Sequence, residues 1–329
     1  MVDLESGLKN PTYDEVEIPE NFGPVTVQVD EFKMKRFAFT QDDYSSMPNS
    51  DFQNNSTIAS AGILANDLLQ MFTTKYAPSD VVGLHTEEEL WFYQPIKMNS
   101  EAILNAKYVE KYEKRGQGYV VMEAEARTIS GQTLLKHRGT EIIRTAPAEI
   151  GGRGAASQSS GSKSRVNPIY PEMSEAFCYF NQDVRIGMHI KPLVKFTTME
   201  QVAIFSRYGE FISSIHTNLQ KARANNLDLP IVQGQQLVCY FTELLSIAFG
   251  DDWYPEGHLH VKFLEPAKVF DVIELNAVVV DIIETSSKHE YRLELWAKSD
   301  RNRLNAIGWA QASIMKTEIV SSKISKGVE

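Results

Sequence analysis

His258-Leu259-His260 is the closest pair of imidazoles in the chain. Side chains alternate along a strand, so both rings would face one side of it. A metal site would need one or two further ligands beside them, and the sequence supplies no such cluster; a strand ending beside a loop is the plain reading, and no metal is expected. Cys178 and Cys239 are the only cysteines. They have no metal-ligand spacing and are too few for a disulfide framework, so two buried, reduced thiols are expected. His85 reads as a cap at a strand start or a hydrogen-bonded core residue. His137, His189 and His289 are scattered and are expected at the surface. Lys111-Tyr112-Glu113-Lys114-Arg115-Gly116-Gln117-Gly118 is a charged turn that reads as a solvated hairpin, although its basic residues could pair with phosphate. No phosphate loop, dinucleotide fingerprint or serine-nucleophile elbow is present.

These residues need a scaffold. The chain has 329 residues, 43% hydrophobic and 23% charged, which suits a folded protein of two ordinary domains or one large one. Its net charge of −10 gives no general attraction for nucleic acid. The acidic, polar start does not read as a secretory signal, and no stretch is apolar for the length a membrane span needs. A cytoplasmic protein is expected.

Residues 151–165 are almost all small or polar and read as a Gly/Ser-rich linker. They separate residues 1–150 from 166–329, and the two parts look like copies. Gly62 and Gly234 each open an apolar stretch and lie 172 residues apart. Pro95 and Pro266, in similar strand ends, lie 171 apart. Tyr119 and Tyr291 each begin an alternating strand, again 172 apart. Each half should hold a short helix, near residues 41–43 or over 199–208, then a longer apolar helix at about 63–76 or 235–249. Leu237, Tyr240, Phe241, Leu244, Leu245 and Ala248 recur at helical spacing in the second of these. Four strands follow in each half, over 88–93, 102–112, 118–129 and 134–144, and over 258–263, 273–284, 289–297 and 305–314. One helix followed by antiparallel strands is an α+β plan.

This order, and the segments Ile215-His216-Thr217 and Pro230-Ile231-Val232-Gln233-Gly234, resemble the MaoC-like double-hotdog family. Leu84-His85-Thr86-Glu87-Glu88 and Tyr112-Glu113-Lys114-Arg115-Gly116 in the first half are similar to it too. The resemblance runs over almost the whole chain after about residue 25. It implies two tandem hotdog folds, each an antiparallel sheet wrapped around a long central helix, with a degenerate first copy and the active site in the second. It also implies an (R)-specific enoyl-thioester hydratase, or a dehydratase running in reverse. The substrate would be a small acyl thioester, of coenzyme A or of an acyl carrier protein, with no other cofactor. Neither nucleic acid nor membrane would be a partner, and the double-hotdog chains leave room for a homodimer.

Carried over, His216 matches the family's catalytic histidine and Gly234 the glycine whose backbone, with Gln235, would stabilise the enolate oxygen. The family aspartate, five residues before the histidine, is Phe211 here, and the asparagine three before it is Ser213. Glu210 is the nearest carboxylate. Tyr208, Phe211, Ser214 and Tyr240 are candidates for substrate contact. In the first half Asp43 falls on Phe211 and Pro48 on His216, so each copy keeps a different half of the pair; joint use of Asp43 and His216 is the weaker reading. Three readings stay open: hydration by Glu210 and His216, a thioester reaction by His216 with Ser213 or Ser214, or a non-catalytic hotdog that binds thioesters or serves a complex.

Overall fold

The computed structural model describes residues 5–45, 57–78, 83–143, 175–206, 213–300 and 303–316. The strands there are β1 (Glu20–Val29), β2 (Leu84–Phe92), β3 (Ser100–Lys114), β4 (Gln117–Thr128), β5 (Thr133–Ile142), β6 (Ala176–Phe177), β7 (His189–Phe196), β8 (His258–Phe263), β9 (Val272–Glu284), β10 (Lys288–Ser299) and β11 (Arg303–Met315). The helices are α1 (Glu31–Gln41), α2 (Ala65–Leu69), α3 (Met199–Phe205), α4 (Leu219–Ala224) and α5 (Gly234–Phe249). The expected linker falls in 144–174, outside the described residues.

All these strands join one sheet in the order β1-β3-β4-β5-β2-β8-β11-β10-β9-β7-β6. The first five and the next five follow the same plan in mirror order, and β2 pairs antiparallel with β8 at the middle. Glu89 faces His260 across that ladder. They are 171 residues apart, the spacing of Pro95 and Pro266, so the join is centred on a local pseudo-twofold. An isolated bridge between Ile58 and Lys97 recurs between Ile231 and Lys268. The edge strands also match: β1 shifts register between Phe22 and Val25, around Pro24, and β7 between Ile190 and Leu193, around Pro192.

The leading strands β1 and β7 were not anticipated from the sequence, and α1 lies before the expected 41–43. The larger departure concerns the first half's apolar helix. Only Ala65–Leu69 is α-helical, and Gln70–Thr74 tightens into a 3-10 turn. The Thr73 and Thr74 hydroxyls donate to the carbonyls of Gln70 and Met71, both at 2.8 Å, a local bonding that competes with a continuing helix. Helix α5 runs unbroken for 16 residues and is buried on almost every side. It touches α1 and α2 as well as β2, β7, β8 and β9, so both halves pack on it. Burying Leu237, Phe241, Leu244 and Leu245 there contributes about 1.5–3 kcal/mol each. Of the two cysteines, Cys239 is buried on α5, whereas Cys178, after the short edge strand β6, is exposed, contrary to expectation. No helix among the described residues is long and apolar enough to cross a membrane.

Helix ends interlock the halves. The last carbonyls of a helix have no partner within it. Those of α1 accept from second-half side chains: Phe39 from Gln201 Nε2 (3.0 Å), Thr40 from Gln236 Nε2 (2.9 Å) and Gln41 from Lys195 Nζ (2.7 Å). Those of α3 accept from first-half side chains: Phe205 from Asn66 Nδ2 and Ser206 from Gln70 Nε2 (3.0 Å). Lys195 also pairs with Glu243 of α5 at 2.7 Å, both side chains almost wholly buried. Burial, with Asp43 and Asp42 nearby, pushes the Glu243 carboxyl up to about 7 despite that lysine.

Removing one partner of a buried pair leaves the other unpaired, whereas replacing both with apolar side chains does not. Lys195→Met should therefore destabilise the fold by about 3–5 kcal/mol in denaturant titrations, and the Lys195→Met, Glu243→Met double variant should regain only part of the loss, because the Gln41 carbonyl still lacks its donor.

Candidate active site

His216 sits in a turn built from its own neighbours. Its N–H donates to Ser214 Oγ (3.2 Å), and the Ser214 N–H donates to Thr217 Oγ1 (3.1 Å). Asn218 then caps α4 by accepting from the Lys221 N–H at 3.0 Å. The His216 ring is tied to a second segment, with Nδ1 2.9 Å from the Ile231 carbonyl oxygen. A carbonyl only accepts, so Nδ1 carries the proton and the Nε2 lone pair is the basic one. Burial lowers the pKa of His216, against a smaller opposing pull from the Ile231 carbonyl. The imidazole is therefore neutral at pH 7, the form a general base requires.

The Ile231 segment leads straight into α5. It is pinned by Val232 N–H to the Ala267 carbonyl (2.9 Å) and Val269 N–H to the Pro230 carbonyl (3.0 Å). Gln233 precedes the helix without a side-chain cap, so Gly234 and Gln235 lie at its partly positive end. Gln235 is fully buried, and neither its Oε1 nor its Nε2 has a hydrogen-bond partner among the described residues.

A second imidazole reaches this helix end from the first half. A Cβ on Gly234 would lie 3.1 Å from both Cβ and Nδ1 of His85. His85 Nε2 is 3.0 Å from Glu88 Oε2, and His137 Nε2 is 3.0 Å from the same oxygen. Residues three apart on a regular strand point to opposite faces. The register shift between His85 and Glu87 adds a bulge residue and turns both side chains to one side. Gly139 makes room for the group, because a Cβ there would be 3.0 Å from Glu88 Oε2. Burial opposes charge on His85, but the hydrogen bond and charge of Glu88 outweigh it and raise the imidazole pKa above its ordinary value. Burial likewise opposes ionisation of Glu88, yet His137 and His85 hold it below the ordinary carboxylate value. Glu141, opposite His85 in the β2–β5 ladder, is raised by burial.

The other sequence candidates scatter. Tyr208, Glu210 and Phe211 lie outside the described residues. Ser213 is exposed, and its carbonyl accepts from Lys221 Nζ at 2.7 Å. Ser214 is spent on the turn. Tyr240 is buried, with its hydroxyl 2.9 Å from Thr197 Oγ1 and accepting from Gln236 Nε2 at 3.2 Å. Asp43 follows α1, accepts from the Ser45 N–H and acts electrostatically on Glu243. His137 and His189 are buried, not at the surface as expected, because β5 and β7 turn them inward; His289 is mostly covered. His258 and His260 face Glu89 and Glu87 across the β2–β8 join, at 2.8 and 2.5 Å. His258 also stacks on Trp91. The His85–Glu88 pair was missed because its spacing is wrong for an unbulged strand.

The mirrored sheet and the long enclosed helix define a hotdog architecture. Comparison with solved structures shows that fold directly. The chain is similar over 95% of its length to all of a MaoC-like dehydratase, at 15% identity and a TM-score of 0.67. It is similar over 96% of its length to all of a putative MaoC domain protein dehydratase from Chloroflexus aurantiacus, at 8% identity and a TM-score of 0.68. A conserved hypothetical protein of Mycobacterium tuberculosis, described as having a double hotdog fold, matches 93% of the chain over 99% of its own, at 10% identity and a TM-score of 0.63. No protein-family model and no curated protein matches the chain.

The tautomer and burial of His216 can be read by nitrogen-15 NMR of the imidazole rings. Nδ1 should carry the proton at pH 7, and the ring should titrate below the ordinary histidine value. As pH falls, the unfolded chain then takes a proton before the folded one does, so His216 lowers stability on acidification and His216→Gln should lessen that loss.

Proposed function

We propose that the chain is a fused pair of hotdog units of the MaoC-like family and adds water reversibly to an enoyl thioester, with an acyl-coenzyme A as substrate. Residues 1–150 form the degenerate copy and 166–329 the copy carrying the base, with 151–165 as linker. The likeness in fold to dehydratases supports the class. One observation carries the assignment of residues: His216 is fastened to Ile231, three positions before the first residue of α5. General base and helix end are thus held by one short segment.

The chemistry follows from that arrangement. Nε2 of His216 removes a proton from water as the oxygen bonds to C3 of the enoyl group. The C2–C3 π electrons move toward C1 and leave an enolate oxygen, which the first amides of α5 stabilise. The imidazolium then returns its proton to C2, the thioester carbonyl re-forms, and one water has been added. Dehydration is the same path reversed. Phe211 cannot take part in proton transfer, and its place in the motif suits contact with a bulky acyl group.

Incubation with a panel of enoyl-CoA and 3-hydroxyacyl-CoA thioesters tests this. Turnover is expected, and His216→Gln should lower kcat by about 10²–10⁴. Phe211→Asp, which restores the family carboxylate, should raise hydration of short enoyl thioesters. Measurable thioester binding with no turnover by the native chain would leave the non-catalytic reading in its place.

A further inference from the structure

The His85–Glu88 segment is similar to the MaoC-like family but receives no role from that resemblance, and His85 abuts the start of α5. Three observations meet there. The His85 side chain keeps only 8% of its surface exposed. Its Nε2 is taken by Glu88, whereas its Nδ1 is buried and makes no well-aligned hydrogen bond among the described residues, although the Glu87 backbone also acts on the ring. That nitrogen lies against Gly234, where the N-terminus of a 16-residue helix opens without a side-chain cap. Adjacent Gln235 adds two buried, unpartnered polar atoms.

A buried donor without an acceptor is destabilising. A cation placed against the positive end of a helix adds repulsion. Both costs disappear when an anionic oxygen sits between them. We propose that His85, supplied by the first half, donates Nδ1–H to the enolate oxygen of the substrate at the N-terminus of α5, and that Glu88 is the positioning residue that holds its ring in place. This deepens the hydratase reading and rests on it. The site becomes composite, with the base His216 from one half and an oxyanion donor from the other. Only hydrogen bonding changes at His85, so the proton balance through His216 is unaltered.

The groups facing His85 set its titration. They are Glu88 and the Glu87 backbone on β2 and Glu141 on β5; His137 acts on Glu88 rather than on His85 directly, and Cys239 of α5 lies within the field of Glu88. His85 must be protonated to act, so activity is lost as pH rises through its raised pKa. In Glu88→Gln the burial remains and the carboxylate is gone, so that alkaline limb moves to lower pH.

The test uses acetoacetyl-CoA, whose enolate has its own ultraviolet absorption and reports oxyanion stabilisation without turnover, beside enoyl-CoA hydration. The native chain should bind the enolate, and His85→Gln should weaken that binding and lower hydration by about 10²-fold. Glu88→Gln should shift the alkaline limb of both readouts toward acid, and this second variant decides the matter where His85→Gln does not fold. Enolate binding within threefold of native in folded His85→Gln, or an unmoved limb in Glu88→Gln, overturns the proposal. Enolate binding that depends on His85, in a chain that hydrates no enoyl thioester, would sink the hydratase reading and leave the oxyanion site standing.

Discussion

The structure depends on how the helix ends of each half are satisfied. A buried carbonyl without a donor is costly, and the last carbonyls of α1 and α3 draw donors from the opposite half of the chain. Gln201, Gln236 and Lys195 of the second half close the end of α1, while Asn66 and Gln70 of the first close the end of α3. The exchange fixes α3, from whose end the chain runs toward the His216 turn. It also anchors α1 along α5, the helix whose first residues form the candidate site. Neither half could be removed without exposing or orphaning the helix ends of the other.

His85 lies against the first residue of α5, and His216 is tied to Ile231 three residues before it; their surroundings shift the two imidazoles in opposite directions. His216 has burial and one backbone carbonyl, and it is held neutral. His85 has burial too, but the Glu88 carboxylate outweighs it and raises its pKa above the ordinary value. Environments that separate the pKa values of two like groups are how one site obtains a base and an acid at the same pH. The division needs no aspartate at position 211. A carboxylate still serves an imidazole here, but it comes from β2 and serves His85.

Much of this was legible in the sequence. The repeat landmarks near 171 residues coincide with observed pairs, Glu89 with His260 and the two isolated bridges. The later strands of each half alternate clearly and were placed to within a few residues. The leading strands were not, since β1 and β7 each carry a proline that interrupts the pattern. The first half's apolar stretch looked helical over its whole length, because hydrophobic spacing does not reveal where threonine hydroxyls will take the backbone carbonyls. His216 and Gly234 became candidates through a local motif. His85 and Glu88 did not, because the bulge that aligns them belongs to the pairing of two strands, which one segment of sequence does not display.

The matched interruptions of the edge strands have a consequence beyond the site. An open sheet invites growth by strand addition, and natural proteins blunt such edges. Here the join of β2 and β8 uses up the inner edges, which leaves β1 at one end and, at the other, β7 flanked only by the two-residue β6. Each bears a proline at a register shift, Pro24 and Pro192, where no N–H is offered and the strand bends. The short β6 covers part of the second edge as well. The same device therefore stands at both ends of the sheet, and it disfavours growth of the sheet by strand addition there.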